Sequence, residues 1–463
     1  MTRRILILSG NLPGLITAYR LIPYGFLVTI LDHNRHFPSE ASPQLSYEST
    51  RSQQSFSSHT LTGHAPPLIL HGFYHSTWSL LEELALEQPL RFFQKVGLEF
   101  VTSNGETVGL PRIPVPFALH PIIQLAFFSG LSWSDRWHMI NFLEKKWEGY
   151  FPPDHNSDTL PVESWLRTAG QSVLAIQEIW NPLCRFFLGC NATEASLGFF
   201  LEVLSRLWLS KTHGPELFLA QPDMLDNLQQ ELRRVLIAKG VKFATINDIT
   251  RIQADTEHIQ SIVLPDGEHL SADAYVSTLP PQELIRLLPE RAPARFSCFS
   301  HMAQLQEVSG GAIQLKITGT LLPPRLILNS GLFDWVTSQT LPNAHEPTTV
   351  IMCVNINHSS PQIPADEWLN DSVWPHIQGL FKNFPEQVPS SSCKPQVTQS
   401  LYPFLPCQTG LRTFRPLSST PLLNLFLAGP WIATPLPPCL ESTVLSAYGC
   451  ARALAEYVQV SSR

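Results

Sequence analysis

The first 32 residues have a strand, turn, helix and strand in a spacing that few folds accommodate. Ile5–Leu8 is a short apolar run typical of a buried parallel strand, and a turn follows over 9–14. A helical pattern continues to Leu21, and a second apolar run, 27–31, ends on Asp32. An acid at that point of a β-turn-α-β unit binds a ribose hydroxyl of a dinucleotide. The N-terminus therefore predicts a nucleotide-binding parallel sheet.

The turn departs from the glycine pattern G-x-G-x-x-G of such units. It reads Ser9-x-Asn11-x-x-Gly14, so only the third glycine, which lets helix and strand pack closely, stands at its motif position. The second glycine lets the backbone approach a pyrophosphate, and we expect the Asn11 side chain to lie in that path. We predict that Ser9, Gly10, Asn11 and Gly14 face the pyrophosphate. Asp32 is either the ribose ligand or a solvated acid at a strand end.

Composition restricts the class of protein. The 463 residues are 44% hydrophobic and only 15% charged, and the net charge of −7 argues against a nucleic-acid partner. Eight cysteines are scattered without a C-x-x-C pair, which indicates a reducing compartment and no zinc site. His71 and His75 are four residues apart, but no third ligand accompanies them. We therefore expect no metal.

The rest of the chain alternates helical and strand patterns. Helices are predicted over 76–86, in much of 160–207, over 223–239 with Gly240 as its C-cap, and over 441–458. Strands are predicted over 241–244, 249–252, 259–264, 269–270, 274–278 and 425–428. Several of these regions, with the N-terminal unit, indicate one nucleotide-binding domain separated by long insertions.

One long apolar stretch, Pro114 to Leu131, is interrupted by prolines and polar residues. It is too broken for a membrane-spanning helix. It suits a segment at a membrane surface or along a substrate tunnel, and equally a core helix flanked by loops.

Several segments in this order resemble a known family. They are PRIPVPFALH to GLSWSDR (111–135), VESWLR (162–167), IWNPL (179–183), NATEAS (191–196) and the ending FLAGPW to Leu436, Pro437, Glu441 and Ser446. The chain resembles the FAD-dependent amine oxidases and phytoene desaturases, and within them the squalene-associated branch of hydroxysqualene dehydroxylases.

The resemblance implies an α/β fold with a Rossmann-type FAD-binding domain (the amine-oxidase fold) and an inserted α+β substrate domain. We expect the FAD-binding domain to comprise 1–75, 220–285 and 421–463, and the substrate domain 76–219 and 286–420.

The activity implied is reduction of hydroxysqualene to squalene in hopanoid and squalene biosynthesis. By this analogy Ile249 passes the adenine, while Gly429, Trp431, Leu436 and Glu441 lie against the flavin and its ribityl chain. Glu441 is alternatively an ordinary first-turn acid of its helix. The partners implied are an isoprenoid lipid, enzymes of the same pathway and the inner face of the cytoplasmic membrane, with the protein in the cytoplasm. No side chain is assigned as a catalytic acid.

Three other positions depart from the family. Glu40 stands where an arginine is usual, 64–68 (HAPPL) replaces the polar D-N-G-Q-H motif, and Pro430 replaces an aspartate. A negative charge at Glu40 would repel a diphosphate. Three hypotheses remain open: an FAD enzyme, an FAD enzyme with rewired contacts, and a flavin-free relative that binds an isoprenoid or forms a complex.

Overall fold

The computed structural model describes residues 2–33, 67–86, 93–109, 126–147, 155–209, 216–319, 321–341, 346–356, 368–381 and 395–460. The strands are β1 Arg4–Ile7, β2 Leu27–His33, β3 Ile69–His71, β4 Phe93–Val96, β5 Leu98–Val101, β6 Thr107–Gly109, β7 Leu217–Ala220, β8 Lys242–Ile246, β9 Arg251–Ala254, β10 Ile259–Val263, β11 His269–Leu270, β12 Ala274–Ser277, β13 Val308–Thr318, β14 Arg325–Leu328, β15 Trp335–Thr340, β16 Thr348–Asn355, β17 Gln396–Phe404 and β18 Leu425–Leu427.

The α-helices are α1 Leu12–Leu21, α2 His75–Glu83, α3 Trp133–Trp147, α4 Val162–Thr168, α5 Val173–Ala175, α6 Asn181–Leu188, α7 Leu197–Leu209, α8 Met224–Ala238, α9 Pro281–Leu287, α10 Arg291–Arg295, α11 Ser297–Met302, α12 Trp374–Leu380, α13 Leu411–Phe414 and α14 Leu440–Val460. Short 3₁₀ turns at Ile22–Tyr24 and His155–Asp158, and π-helical turns at Ile176–Trp180 and Leu369–Val373, complete the helical segments described.

A five-stranded parallel sheet in the order β18-β12-β1-β2-β8 brings together distant parts of the chain. Its strands are apolar on both faces, as a sheet covered by helices requires: Ile7 and Ile30 are buried on one face, and Leu6 and Leu31 on the other. Helix α1 follows β1, and α14 and α8 pack against α1. The carboxyl ends of β1, β2, β12 and β18 therefore lie along one edge, where ligands of such sheets bind.

Close packing of α1 on β1 depends on Gly14. A Cβ at this position would lie 2.2 Å from the Ser9 carbonyl oxygen, which is backbone and cannot rotate away. The third glycine of the motif therefore has the packing function that the sequence predicted.

A seven-stranded mixed sheet, β17-β13-β16-β15-β14-β5-β6, forms the second large layer. One face of this sheet carries a cluster of buried apolar side chains, and its members include Ile313, Leu315, Ile317, Ile327, Val336, Ile351, Cys353, Val373, Ile377, Leu380 and Phe381. Helix α12 and the residues that flank it supply the last four of these side chains, so they cover this face. The side chains of the other face, such as Leu326 and Val354, join the main core that includes the parallel sheet.

The α/β fold class predicted from the sequence is confirmed. Of the predicted strands, those at 241–244, 274–278 and 425–428 join the N-terminal unit in the parallel sheet, whereas β9, β10 and β11 pair with one another in a separate antiparallel sheet. The antiparallel strands β13 to β17 were not predicted individually. The proposed domain limits stay a prediction. Glu40, residues 64–66 and most of the 114–131 stretch lie outside the described residues.

The Gly14 contact gives a first prediction. Gly14→Ala should lower the free energy of unfolding by about 2–3 kcal/mol, because helix α1 must move away from the strand. Gly379→Ala is the matched control: its Cβ meets nothing within 4 Å, and alanine favours helix, so this variant should be neutral or stabilised by up to about 1 kcal/mol. Thermal melts of both variants measure the difference. Equal melting temperatures would show that the turn relaxes freely.

Candidate functional site

Asn11 caps helix α1 with its own side chain. Its Oδ1 accepts the Gly14 N–H at 3.2 Å and the Thr278 hydroxyl at 2.7 Å, and its Nδ2 donates to the Thr278 carbonyl at 3.0 Å. The side chain thus joins the first turn of α1 to the end of β12. Asparagine is among the best N-cap residues, so this geometry follows from the residue type.

This capping leaves few backbone donors for an anion at the helix N-terminus. Pro13 has no N–H, Gly14 donates to Asn11, and the Asn11 N–H donates to the Ser9 hydroxyl at 3.3 Å. The Leu12 N–H remains. A phosphate at this terminus would have to displace the Asn11 side chain to gain a second donor from this turn.

Asp32, at the end of β2, is held by an arginine from helix α8. Arg233 donates Nη1–H to Oδ2 at 2.6 Å and Nη2–H to Oδ1 at 3.1 Å, and Nη2 also donates to the Gly10 carbonyl at 2.9 Å. The oxygens that the sequence assigned to a ribose therefore bind a guanidinium. Ile249 is buried in the connection after β8, the strand that pairs with β2.

Arg415 holds the C-terminal loop after β18 through hydrogen bonds to the carbonyls of that loop. This side chain donates to the carbonyls of Pro430 at 2.9 Å and Leu436 at 2.8 Å, and also to those of Ile432 and Thr434. It is 5% exposed, and burial lowers the pKa of its guanidinium to about 10. Gly429 donates its N–H to the Ser446 hydroxyl at 2.9 Å. The predicted residues Gly429, Trp431 and Leu436 thus share one ordered loop.

Glu441 is buried and caps helix α2. Its carboxylate accepts the N–H of Ser76 at 2.9 Å, the N–H of Thr77 at 2.8 Å and the Thr77 hydroxyl at 2.7 Å. A carboxylate at a helix N-terminus is stabilised by the helix dipole. Both of its carboxylate oxygens accept hydrogen bonds from the first turn of α2. The predicted contact of Glu441 with a cofactor stays a prediction.

Trp431 lies beside a small aromatic cavity of about 30 Å³, enough for a water molecule. Phe186, Phe187, Trp335 and Tyr402 contribute to its walls. The Nε1 of Trp431 and the hydroxyl of Tyr402 are buried without a hydrogen-bond partner among the described residues. Buried polar atoms in that state are costly to stability.

His71 borders the same aromatic group. Its ring stacks on Phe73 with centroids 5.0 Å apart and lies 5.3 Å from the Phe187 ring, and its Nδ1 has no partner in the described structure. Burial lowers its pKa to about 3. His71 is therefore neutral near pH 7 and part of an apolar wall.

A larger cavity of about 390 Å³ lies over the other end of the seven-stranded sheet. Gln339, Val350, Lys316 and Gln396 are directly paired across β15, β16, β13 and β17 and form one row of its floor. Its further lining residues are Pro67, Leu68, Ala220, Gln221, Pro222, Asp223, Leu225, Asp226, Gln314, Leu341, Met352 and Thr398. The volume is in the range of small-molecule sites.

The two cavities lie on the same face of the sheet. Trp335 lines the aromatic cavity, and Gln339 lines the larger one four residues further along β15. Side chains four apart in a strand point to the same face, about 13 Å from each other. The two cavities therefore lie one after the other on this face of the sheet.

The type of residue at the sheet edge fits the adenosine half of the FAD that the resemblance implies. An acid ends β2, a helix begins at the adjacent turn, and a Cβ at Gly10 would lie only 2.7 Å from the Asp32 Oδ1. The turn thus needs glycine at this position, as a close backbone approach does. Asp32 and Asn11 currently bond to Arg233 and Thr278, so these internal bonds must be exchanged when a nucleotide binds.

Sequence reasoning missed the two arginines. The only local signal for Arg233 is its place beside the apolar face of α8, next to buried Leu232, whereas Arg234 points to solvent. Arg415 lies in a loop and has no periodic signal. In the described parts of the chain, no group of three or more His, Cys, Asp or Glu residues is arranged to hold a metal ion.

None of the helices among the described residues combines the length and apolar character needed to cross a bilayer.

Residues 67–455 match the family model described as flavin containing amine oxidoreductase. A probable zeta-carotene desaturase of Synechococcus elongatus is 22% identical, and the match covers 98% of each chain. A 15-cis-phytoene desaturase of an Oncidium hybrid cultivar is 25% identical, over 84% of this chain and 68% of the relative. The solved structure of cyclohexylamine oxidase from Brevibacterium oxydans has a similar fold, with a TM-score of 0.59 and 13% identity over 99% of this chain and 100% of that one.

The neutral state of His71 gives a pH prediction. An unfolded histidine has a pKa near 6.5, so the folded state loses stability as the pH falls from about 6.5 toward 3, by about 1.4 kcal/mol per unit. His71→Phe removes this proton uptake. Relative to wild type, its free energy of unfolding should rise by about 2–3 kcal/mol between pH 7.5 and 4.5. Urea melts at both pH values measure this change.

The control for this prediction is His75→Phe, because His75 is exposed in the same segment. Its stability should follow that of wild type at both pH values. If His71→Phe also ran parallel to wild type, protonation of His71 would not limit stability in acid.

Proposed function

Because the chain belongs to the flavin-containing amine oxidoreductase family, we propose that it is an FAD-dependent oxidoreductase of a squalene-type isoprenoid. The reaction we propose is the reductive dehydroxylation of hydroxysqualene to squalene. The allylic C–O bond breaks, the hydroxyl leaves as water with one proton, and a hydride forms the new C–H bond. Reduced FAD, when bound, would supply both the hydride and the proton and become oxidised FAD.

The observation that carries the proposal is the pair of cavities over one face of the seven-stranded sheet. Val350 and Met352 contribute apolar floor at one end, and Phe186, Trp335 and Trp431 form aromatic walls at the other. A long hydrocarbon gains binding free energy in proportion to the apolar surface that it buries. The names of the curated relatives, phytoene and zeta-carotene desaturases, support an isoprenoid as the ligand class.

In this proposal the chain binds and orients rather than transfers protons. The polar row with Gln339 and Lys316 is suited to the hydroxylated part of a substrate, because amide and ammonium groups bond to a hydroxyl. The apolar side chains at the aromatic end limit the access of bulk water, which protects a hydride from side reactions. Asp32 and the C-terminal loop from Gly429 would hold the cofactor.

A second function, a flavin-free isoprenoid-binding protein, is favoured by a different set of observations. Asn11 caps its own helix, Asp32 bonds to Arg233, and the cavity beside Trp431 measures about 30 Å³. That volume is far below the roughly 300–1,000 Å³ of a typical ligand site. A protein with this function would bind the isoprenoid in the cavities over the sheet and would catalyse no redox step.

The activity test uses a side chain at the floor of the larger cavity. Thr398→Phe should reduce squalene formation from hydroxysqualene by about tenfold or more, because the phenyl ring fills part of the larger cavity, where we propose the substrate binds. Gln399→Phe is the matched control, since its neighbour in register, Ile313, faces the opposite side of the sheet. Product is quantified by mass spectrometry under anaerobic conditions with reduced FAD.

The visible spectrum of the purified protein separates the two functions. About one flavin per chain with turnover supports the oxidoreductase. Hydroxysqualene binding without flavin or turnover supports the binding protein, and absence of both binding and turnover contradicts each of them.

An exposed apolar patch suggests how the protein meets a lipid substrate. Phe127, Trp133 and Trp137 are 68%, 63% and 53% exposed, and Val173 and Leu174 are 54% and 58% exposed. Ser172 bonds to Asp135 at 2.7 Å, which places the start of α5 beside α3. Exposed aromatic groups of this kind favour the membrane interface. We propose that this patch contacts the membrane surface.

The membrane proposal predicts binding to vesicles of phosphatidylethanolamine and phosphatidylglycerol in a sedimentation assay. Replacing both Trp133 and Trp137 by serine should weaken binding about tenfold or more, because buried aromatic surface is lost. The control replaces Ile237 and Leu417, which are 63% and 70% exposed on other elements, by serine. Release by salt rather than by detergent, or equal loss in both variants, would contradict an apolar contact.

A further inference from the structure

The Asp32–Arg233 pair closes the turn between β1 and α1. The two residues are 201 positions apart, and the guanidinium uses two donors on both carboxylate oxygens. A third bond goes from Nη2 to the Gly10 carbonyl at 2.9 Å. One side chain of α8 thus ties together the end of β2 and the turn after β1.

This arrangement occupies the acceptor atoms that a nucleotide ribose requires. The acid that ends the second strand of such a sheet accepts hydrogen bonds from ribose hydroxyls. Both oxygens of Asp32 instead accept from a planar fork, the strongest geometry for this ion pair. On the Gly10 side the guanidinium lies close to the turn, since a Cβ at Gly10 would lie 3.0 Å from Arg233 Nη2. A ribose hydroxyl and the guanidinium therefore compete for the same carboxylate oxygens of Asp32.

We infer that Arg233 is an internal competitor for the adenosine half of the nucleotide site. Each side chain of the pair is 32% exposed, so water replaces the lost bonds when the pair opens. Arg233 thus weakens nucleotide binding, and it keeps the turn ordered while no nucleotide is bound. This inference rests on the proposed function only in that FAD is the nucleotide expected there.

The neighbouring residue provides a matched control. Arg234 lies on the same helix and pairs with Glu231, but its side chain is 71% exposed and turned away from Asp32. Arg233→Gln and Arg234→Gln remove the same charge from the same helix. Only the first removes the competitor.

The experiment measures binding of ADP and of FAD to the full chain by isothermal titration calorimetry. In Arg233→Gln, the affinity for ADP should rise about 2- to 5-fold, the equivalent of a partly exposed ion pair. Arg234→Gln should bind like wild type. 2′,3′-Dideoxy-ADP lacks the hydroxyls that reach Asp32, so its affinity should not rise in either variant.

Folding of the variants is checked by circular dichroism. If Arg233→Gln fails to fold, Arg233→Lys is used, because an ammonium keeps the charge but cannot form the planar fork. The lysine variant should bind ADP more tightly than wild type, by about twofold or more.

Three outcomes would overturn the inference. ADP binding that is unchanged or weaker in both Arg233 variants means that Arg233 does not compete, and weaker binding assigns it to the phosphates. Equal gains for ADP and its dideoxy analogue mean that the gain does not involve Asp32. No ADP binding to any variant means that Arg233 is not what closes the site.

These outcomes are distinguishable from failure of the proposed function. If wild type contains one flavin per chain and Arg233→Gln shows no gain in ADP affinity, the competitor role of Arg233 is rejected and the oxidoreductase proposal stands. A gain for ADP in Arg233→Gln, without flavin binding or turnover in either protein, keeps the competitor and removes the oxidoreductase.

Discussion

The shape of the C-terminal loop depends on the guanidinium of Arg415. A buried cation is tolerated only when its donors are satisfied, and here the carbonyls of the loop that follows β18 satisfy them. Because those carbonyls must converge on one group, the loop cannot extend into solvent. Trp431 is part of this loop, so its position is fixed too, and it forms a wall of the aromatic cavity. One charge thus positions the boundary between the two large layers.

The polar groups at the edge of the parallel sheet and those at the aromatic cavity differ in whether they have hydrogen-bond partners. At the sheet edge, Asp32 bonds to Arg233, Arg233 also bonds to Gly10, and Asn11 bonds to Thr278, so a ligand must exchange existing bonds. At the aromatic cavity, Tyr402 and Trp431 each keep a buried polar atom without a partner in the described chain. The polar groups at the sheet edge are thus satisfied internally, whereas two at the aromatic cavity are not.

The sequence predicted the elements whose signal is local. The β1-α1-β2 unit, helix α8 ended by Gly240 and the final strand and helix were all found from apolar periodicity and capping residues. The seven-stranded sheet was not resolved into strands, because its partners are remote: β5 joins β14 across more than 200 residues. Ion pairs such as Arg233 with Asp32 have the same non-local origin.

The candidate site was predicted only in part. Ser9, Gly10, Asn11, Gly14 and Asp32 do meet at one edge, since topology brings a turn and a strand end together. What their side chains bind is not encoded locally. Asn11 was expected to lie in the path of a pyrophosphate; its bonds to Gly14 and Thr278 follow from the nearness of β12, which comes from a distant segment.

The order of strands in the parallel sheet has a consequence for synthesis of the chain. β1 pairs with β12, which begins 270 residues later at Ala274, and β12 pairs with β18 at Leu425. Contacts of such high sequence separation form slowly. While the ribosome is still translating residues before Ala274, β1 lacks its neighbour and exposes a strand edge that other chains can join. Native folding of this layer is thus largely post-translational, and a chaperone that shields the nascent N-terminal segment should raise the yield of native protein.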